Sequence, residues 1–345
     1  MTTGNRRPIV THKRLAFGLV ALLVIGLSFG LVLPRLAPYG LVWDQLGRVS
    51  PGWVAALLGA FGANIVTFTF PWMVALPGLA FLRAVAVTQI STAFTLLAPG
   101  GAPAGMAVSY TILRSSGYTT ADGSRAVALT GIWNQLSTFV FPVAGFALLA
   151  AGGTGDGTVA ASALIGGALF AGAGLLLAAA VASERLTRAA ADRAGATFAH
   201  VAVVFGRSPR RLDSEAVVAF RRDSLALLRH RWHLLTVATL ANQLTGYLLL
   251  QLALLAVGVG TAQVGIAEAF TAWSVGRLLS SIPITPAGIG YTEVGLTGLL
   301  IAFGGPRPEV VAAVLIYRAL SIVPTVAVGG IAALVLTLRR PVARI

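Results

Sequence analysis

The pattern of apolar and polar positions along the chain consists of long apolar runs separated by short polar segments. A helix needs about 20 apolar residues to cross a bilayer, and about six of the runs reach this length. The predicted full spans cover residues 15–33, 52–76, 125–151, 158–181, 233–257 and 310–338. Two further apolar regions, residues 84–113 and 264–303, are interrupted by turns rich in proline and glycine. The pattern predicts an all-α, polytopic membrane protein with about six full spans and two broken helical hairpins.

The turn in the second broken region, within residues 281–298 (SIPITPAGIGYTEVGLTG), contains residues that a membrane helix normally avoids. Pro286 removes a backbone donor, and Gly288 and Gly290 allow backbone conformations that other residues resist. Glu293 follows, and a carboxylate at membrane depth is costly and usually functional. Irregular backbone in a bilayer must be satisfied by protein or trapped water. We therefore expect a re-entrant turn that builds a polar site. The alternative is a proline-kinked helix with Glu293 at the lipid–water interface.

The first broken region has a similar turn, PGGAPAG, which begins at Pro99 and contains Gly101 and Gly105. The loops that flank this region, at Arg83 and Arg114, both have the basic character of cytoplasmic loops. The loops that flank the second broken region must then lie outside, because the neighbouring spans begin or end inside. The two hairpins would enter from opposite faces of the membrane, as in an inverted repeat. If each hairpin were instead a pair of full spans, every loop would lie on the same side of the membrane as before.

Short similarities between the two halves agree with a repeat. LAPGG in the first half resembles ITPAG in the second, and IWNQLS resembles IYRALS at a similar distance downstream. The second similarity aligns Asn134 with Arg318. Chance similarity in apolar sequence of low complexity is the rival explanation.

Composition and charge agree with a membrane protein. Hydrophobic residues make up 57% of the chain, charged residues make up 10%, and the mean hydropathy is +0.85. The formal net charge of +14 arises mainly from residues 1–14, 183–232 and 339–345. By the positive-inside rule these three segments are cytoplasmic, so we expect a plasma-membrane domain at residues 15–338 with both tails inside. The first apolar run exceeds a signal-peptide h-region and no cleavage site follows it, which predicts a retained helix.

The basic segment, residues 183–232, is the one long polar part of the chain. Its charges favour anionic headgroups of the inner leaflet and are not read as a nucleic-acid surface, which would need a folded soluble face. Spaced apolar residues in it predict an amphipathic helix that lies along the inner leaflet. These residues are Val217, Phe220, Leu225, Leu227 and Leu228.

The residues that carry most enzyme chemistry are missing from the sequence. The chain has no cysteine, which excludes disulfides, thiol catalysis and cysteine metal sites. We find no Ser-His-Asp set, no paired catalytic carboxylates, no metal motif and no nucleotide P-loop. We therefore expect a protein that is not an enzyme and that needs no metal and no cofactor.

Glu293 and Arg318 are the best candidate pair, because each is expensive alone in hydrocarbon and cheaper when paired or facing water. Either Arg318 binds a phosphate and Glu293 an amine or a proton, or the two form a structural ion pair. Arg277 would line the same cavity or extend to the interface. Amides within apolar helices bind helices together more often than they line a cavity. The candidate substrate-binding residues are Glu293, Arg318, Arg277, Tyr317, Asn134, Asn242, Gln243, Gly288, Gly290, Pro286, Pro99, Gly101, Gly105 and Tyr110.

The motif IPITPAGIGYTEVGLTGLL, followed by AAVLIYRALSIVP, resembles the transmembrane, flippase-like domain of the lysylphosphatidylglycerol synthase family. The resemblance covers about residues 15–338, and Glu293 and Arg318 match the second-half pattern of that family. The first-half element LAPGGAPAGMAVSYTILRSSG looks like the variant of high-GC Gram-positive members. Many relatives carry a Gly-Glu pair and a nearby Arg there, where this chain has Met106 after its glycine and Tyr110 in the arginine region.

The resemblance implies a lipid flippase or flippase-like transporter that carries no aminoacyl-transferase domain, since the sequence ends at Ile345, soon after the last span. The headgroup of a phospholipid or a polyprenyl-linked glycolipid would enter a cavity between the two breaks, where glycines let the backbone approach it. One alternative is a secondary transporter of a small soluble solute. Another is a non-transporting scaffold whose basic segment recruits an envelope-lipid enzyme. The substrate, the direction, the coupling ion and the oligomeric state stay open.

Overall fold

A computed structural model of the chain describes residues 22–97, 101–153, 214–282 and 284–338, together with residues 165 and 172. These residues form helices and turns, with no strand among them. The helices are α1 (Leu22–Leu36), α2 (Tyr39–Gly47), α3 (Pro51–Ala75), α4 (Phe81–Leu97), α5 (Ala102–Ser115), α6 (Thr120–Ala151), α7 (Ser214–Ala256), α8 (Ile266–Ser280), α9 (Tyr291–Ala302) and α10 (Arg307–Leu338).

Four of the described helices are long and apolar enough to cross a membrane, namely α3, α6, the Ser224–Ala256 part of α7, and α10. They coincide with four of the predicted spans. Both charged tails lie outside the described residues, and so does the span predicted at residues 158–181 apart from residues 165 and 172. Large apolar side chains on these helices are exposed, such as Val323 (65%) and Leu334 (60%) of α10. Such a surface suits lipid rather than water. The fold is therefore that of a polytopic helical membrane protein.

The first described helix contains one π-helical turn, Ser28–Val32, and is followed by a bend of 78° into α2. Pro34 follows the π-turn and has no N–H, so the carbonyl of Phe29 lacks the donor that a continued π-turn would supply. The hydroxyl of Tyr39 donates a hydrogen bond to that carbonyl instead. The helix consequently continues through Pro34 to Leu36. The segment between the first two predicted spans, residues 34–51, contains α2.

The chain divides into two compact units. Unit 1 comprises Met1–Gly62, Gln89–Val108 and Gly246–Ile345, and unit 2 comprises Ala63–Thr88 and Ser109–Thr245. Unit 2 has an apolar core that includes Trp72, Leu76, Leu113, Leu129 and Leu235.

Helix α7 differs from the prediction made for its N-terminal part. Residues 214–232, for which we predict an amphipathic helix along the inner leaflet, belong to the same continuous helix as the following span; the position along the leaflet stays a prediction. No proline interrupts residues 214–256, and the only glycine among them is Gly246. Leu227 and Leu228 pack against the core of unit 2. The rest of the basic segment, residues 183–213, lies outside the described residues.

In unit 1, α8 and α9 form an antiparallel hairpin. A Cβ placed on Gly276 would lie 3.7 Å from the Leu296 side chain, and the hydroxyls of Ser280 and Thr292 are 3.2 Å apart. Residue numbers on α9 decrease as the numbers of their contacts on α8 increase, so the two helices run antiparallel. The second broken region is therefore a helical hairpin.

Helix α10 packs against α9 and α2 within unit 1. Near its start, Nε2 of Gln45 in α2 donates to Oε1 of Glu309 at 2.9 Å. Pro324 lies in the helix interior and cannot donate to the carbonyl of Leu320, one turn earlier. The helix that carries Arg318 is thus held at its start and weakened in its middle.

Candidate functional site

The backbone between α8 and α9 is broken over residues 281–290. Pro286–Gly288 forms a single 3-10 turn, and three residues have positive φ, namely Ala287 at 57°, Gly288 at 67° and Gly290 at 102°. A positive φ costs an alanine about 1–2 kcal/mol. The break is a structured turn, so the alternative of one proline-kinked helix is wrong.

The glycines of this turn allow the protein's own chain to pack tightly. A Cβ placed on Gly288 would lie 2.7 Å from Oγ1 of Thr292, and one placed on Gly290 would lie 2.9 Å from Oγ of Ser28. Both distances are shorter than side-chain carbons normally approach. The structure places neighbouring helices against these glycines, and the expected approach of a lipid headgroup to them stays a prediction.

The carboxylate of Glu293 is 2% exposed and uses both of its oxygens. Oε2 accepts a hydrogen bond from the backbone N–H of Gly290 at 2.6 Å, and Oε1 accepts one from Nε of Arg318 at 2.6 Å. The first bond satisfies one of the N–H groups that a helix leaves open at its N-terminus. The second forms an ion pair with α10. Glu293 therefore both caps α9 and binds α10 to it.

Arg318 binds the turn as well as Glu293. Its Nη2 donates to the carbonyl of Ala287 at 2.7 Å, and its side chain is 12% exposed. The predicted pairing of Glu293 with Arg318 is confirmed, and the pair holds three segments together: the turn, α9 and α10. Ala287 was not among the candidate residues. It contacts Arg318 through its backbone carbonyl, which its left-handed backbone conformation positions, and the side-chain type gives no sign of such a contact.

Two more of the predicted residues lie beside this pair. The guanidinium carbon of Arg277 is 5.9 Å from the ring centroid of Trp273, one helical turn before it. The guanidinium also lies close enough to Tyr317 and Arg318 for electrostatic interaction. Trp273 and Arg277 are four positions apart and therefore share one face of a helix. This spacing is the feature of the sequence from which the contact with the ring could have been predicted. The structure thus brings Arg277, Tyr317, Arg318 and Glu293 into one cluster.

The cavity that the structure describes beside α10 is apolar rather than charged. Its volume is about 270 Å³, and it is lined by Leu46, Val49, Val54, Leu57, Leu58, Ile316, Ala319 and Leu320. Ile316 and Arg318 are two positions apart, about 200° around the helix. The groove therefore lies on the opposite side of α10 from the charged cluster, and its lining suits hydrocarbon.

At the first break, Pro99 lies outside the described residues. Gly101 has φ of 54° directly before α5, which suits its glycine. A Cβ placed on Gly105 would lie 2.0 Å from Oγ1 of Thr95 and 2.7 Å from the carbonyl oxygen of Ser91. Gly105 therefore lets α5 pack directly against α4 in unit 1, and its headgroup contact stays a prediction.

The amide candidates bind helices together in unit 2. Nε2 of Gln243 donates to Oδ1 of Asn134 at 3.1 Å and to Oγ of Ser137 at 2.8 Å. Nδ2 of Asn64 donates to the carbonyl of Asn242 at 3.0 Å. These bonds join α6 and α3 to α7, so the helix-binding interpretation of the amides is confirmed.

Tyr110 also belongs to unit 2. It packs against the apolar core, and its ring lies 3.6 Å from a Cβ placed on Gly123. This environment gives Tyr110 a packing role, and its headgroup contact stays a prediction.

Within the parts of the chain that the structure covers, no group of three histidine, aspartate or glutamate side chains could hold a metal ion. The chain matches a protein family described as the lysylphosphatidylglycerol synthase TM region, over residues 15–329. No curated protein matches the chain.

Proposed function

This chain belongs to the lysylphosphatidylglycerol synthase TM region family, and on that premise we propose that it moves the headgroup of a membrane lipid across the bilayer. The family ties the chain to lipid metabolism or transport in a membrane. The acyl chains of the lipid stay in the bilayer while the headgroup passes through a polar site. The protein performs this movement without chemistry on the lipid, so it is not an enzyme.

The observation that carries the proposal is the buried cluster of Glu293, Arg318 and Arg277 at a break between two short helices. Charged side chains within a membrane usually mark a substrate or ion pathway. With 15 and 12 residues, α8 and α9 are only about 22 and 18 Å long, and neither crosses a hydrocarbon core of about 30 Å. These lengths support a re-entrant hairpin whose tip carries the charges to membrane depth.

Packing on α10 supports a meeting of the two hairpins. A Cβ placed on Gly329 would lie 2.5 Å from the carbonyl oxygen of Gln89 and 2.7 Å from Cβ of Ala93, both in α4. Gly329 and Arg318 are eleven positions apart, which is close to three full turns, so both lie on one face of α10. The first hairpin therefore packs on the same face of α10 as the second.

An antiparallel course of α4 and α10 would place the two tips at similar depths. From Gln89 to the end of α4 at Leu97 the helix rises about 12 Å, and from Gly329 back to Arg318 α10 rises about 16 Å. If α4 runs antiparallel to α10, the first tip reaches the level of Arg318 to within about one helical turn. This arrangement is what an inverted repeat requires.

The proposed setting is the plasma membrane, with both termini in the cytoplasm. The chain has 25 basic and 11 acidic residues, and the excess lies in the tails and in the basic segment, as the positive-inside rule expects. The basic segment would attract anionic headgroups of the inner leaflet. It is also the part of the chain that an envelope-lipid enzyme would contact.

The test is leaflet exchange of fluorescent phospholipids in vesicles that contain the purified protein. We expect the wild type to accelerate exchange over protein-free vesicles, and the Arg318→Ala variant to lose most of this acceleration. Glu268→Gln is the matched control, since Glu268 caps α8 through the N–H of Gly265. Gel filtration establishes that each variant is folded. Wild-type vesicles that exchange lipid no faster than empty ones would rule out the proposed function.

A further inference from the structure

We propose that the apolar groove beside α10 holds one acyl chain of a resident phospholipid, and that the phosphate of this lipid contacts Arg48. The lipid belongs to the leaflet that surrounds α2, and it stays bound while other lipids exchange around it. The groove lies on the opposite side of α10 from the charged cluster. The inference therefore goes beyond the proposed function and holds whether or not the protein moves lipid.

Three parts of unit 1 form the groove, namely the end of α2, the first turns of α3 and the middle of α10. All eight side chains that line it are apolar, and its volume is about 270 Å³. An apolar cavity of about 150 Å³ in another protein stays free of water and binds benzene. The groove therefore fits a hydrocarbon chain, and none of these eight side chains could hydrogen-bond a soluble molecule.

The groove is continuous with the surface that faces lipid. Val54 and Leu58 line it on α3, and they are 45% and 52% exposed. Ala319 lines it on α10 and is exposed as well. Both helices are long and apolar enough to cross a membrane, so the lipid around them reaches the groove directly. A lipid chain is consequently the apolar molecule that lies nearest to the groove.

The length of the groove matches the depth of one leaflet. At one end, Leu46 follows Gln45, whose bond to Glu309 fastens α2 to the start of α10. From the first residues of α3 and α10, the lining extends about 10 Å along α3 to Leu58 and about 20 Å along α10 to Leu320. One leaflet contributes half of a hydrocarbon core of about 30 Å. A single acyl chain that enters beside α2 would therefore follow the groove toward the middle of the bilayer.

Arg48 supplies a positive charge at the α2 end of the groove. It is the C-terminal cap residue of α2, it is exposed, and it stands between two lining residues, Leu46 and Val49. In the described part of the chain its guanidinium forms no ion pair, not even with Asp44 one turn earlier. Trp43 of the same helix is 70% exposed, as is typical of tryptophan at a membrane–water interface. A guanidinium at this level matches phosphate oxygens and favours an anionic headgroup.

The charge is needed because the groove alone gives a lipid chain little preference over the surrounding bilayer. Lipid tails are as apolar as leucine side chains, so transfer of a chain from bulk lipid into the groove gains no hydrophobic energy. The preference comes from contacts with the walls, which an unfilled groove would lack, and from the phosphate at Arg48. Together these two contributions retain one lipid at a place where others pass.

The experiment uses phosphatidylglycerol with a photoreactive diazirine in one acyl chain, in vesicles that contain the full chain. After illumination, mass spectrometry compares labelling of Ile316 and Leu320 in the groove with labelling of Ile331 and Leu334, which are exposed on α10 outside it. We expect labelling in the groove to saturate at a low mole fraction of the probe, whereas labelling outside rises in proportion to the mole fraction. Proportional labelling at both places would show ordinary boundary lipid only and would overturn the inference.

The variant Ala319→Phe tests the place of binding, because a phenyl group at this exposed position would fill the groove. We expect it to abolish the saturable labelling of Ile316 and Leu320. The matched control Ala327→Phe adds the same ring at an exposed alanine of α10 outside the lining, and it should keep the saturable labelling. Gel filtration establishes that both variants are folded. Saturable labelling that survives Ala319→Phe would place the lipid elsewhere and overturn the inference.

The variant Arg48→Gln tests the phosphate contact. We expect the mole fraction of probe at half-saturation to rise about fivefold, the effect of one arginine beside an anionic headgroup. Arg83→Gln removes an exposed arginine of unit 2 and should leave the half-saturation unchanged. Arg48→Gln with the half-saturation of the wild type would overturn the phosphate contact.

A second copy of the chain is the other apolar partner that the test must detect. Leu58→Cys introduces a single thiol into a chain without cysteine, so oxidation links two copies whose grooves face each other. We expect monomers after oxidation, together with saturable labelling by lipid. Efficient formation of linked dimers with an unlabelled groove would assign the groove to an interface between copies. A groove with neither label nor link would be covered by the chain itself, and either result would overturn the inference.

Discussion

Substitution of Glu293 by glutamine distinguishes the contributions of its two bonds, because it keeps the helix cap and removes the ion pair. The glutamine carbonyl can still accept from the N–H of Gly290, because glutamine serves in the same capping arrangement as glutamate. Its amide N–H₂ or carbonyl then faces Arg318 without a charge, so the guanidinium loses its ion pair. Removal of one partner from a buried ion pair costs about 3–5 kcal/mol. Arg318 is partly exposed and keeps its bond to Ala287, so we expect about 3 kcal/mol.

Glu268→Gln is a closely matched control for this loss. Glu268 stands at the same position of α8, where its Oε2 accepts from the N–H of Gly265 at 2.6 Å. The capping bond of Glu293 has the same length. Glu293 differs from Glu268 in its ion pair with Arg318. We expect Glu268→Gln to change the free energy of unfolding by less than about 1 kcal/mol.

The assay is unfolding in mixed micelles by titration with sodium dodecyl sulfate, followed by the fluorescence of the six tryptophans. A Glu293→Gln protein as stable as Glu268→Gln would refute the reasoning, since the ion pair would then contribute nothing. The double variant Glu293→Gln/Arg318→Met should recover part of the loss, because it removes the uncompensated charge as well. No recovery would show that the loss arose from the cap.

Expectations for four further variants use the same titration. Gly329→Ala should destabilise the protein by about 1–3 kcal/mol, because the methyl group overpacks the contact with α4. Gly330→Ala, with open space around it, should be neutral or stabilising by up to about 1 kcal/mol. Gln243→Leu removes hydrogen bonds between spans and should cost about 1 kcal/mol without slowing lipid exchange. Tyr39→Phe leaves the carbonyl of Phe29 without its donor, which should cost about 1–3 kcal/mol.

The broken hairpin and the ion pair at its tip could be predicted because both depend on local chemistry. Pro286, Gly288 and Gly290 stand close together and jointly favour a break in the helix, and two opposite charges within apolar sequence cost less when they pair. The antiparallel course of α8 and α9 follows from the short turn between them. These features need no knowledge of how distant helices pack.

The contacts that depend on packing could not be predicted. Asn134 and Gln243 are 109 positions apart, and their pairing follows from the relative rotation of α6 and α7, which the apolar pattern leaves undetermined. Gly105 and Gly288 have the same ambiguity. A glycine beside a turn can admit a ligand or a neighbouring helix, and only the position of that neighbour decides between them.

Pro324 lies between Arg318 and Gly329, and so between the two hairpins that rest on α10. A helix bends most easily where one backbone bond is already absent. The part of α10 before Pro324 could tilt with the second hairpin, while the part after Pro324 stayed with the first. A tilt of about 10° at this joint would displace Arg318, about 9 Å away along the helix, by about 1.6 Å, from the rise of the helix. Under the proposed function, such a joint would let the second hairpin change its inclination while the first keeps its place.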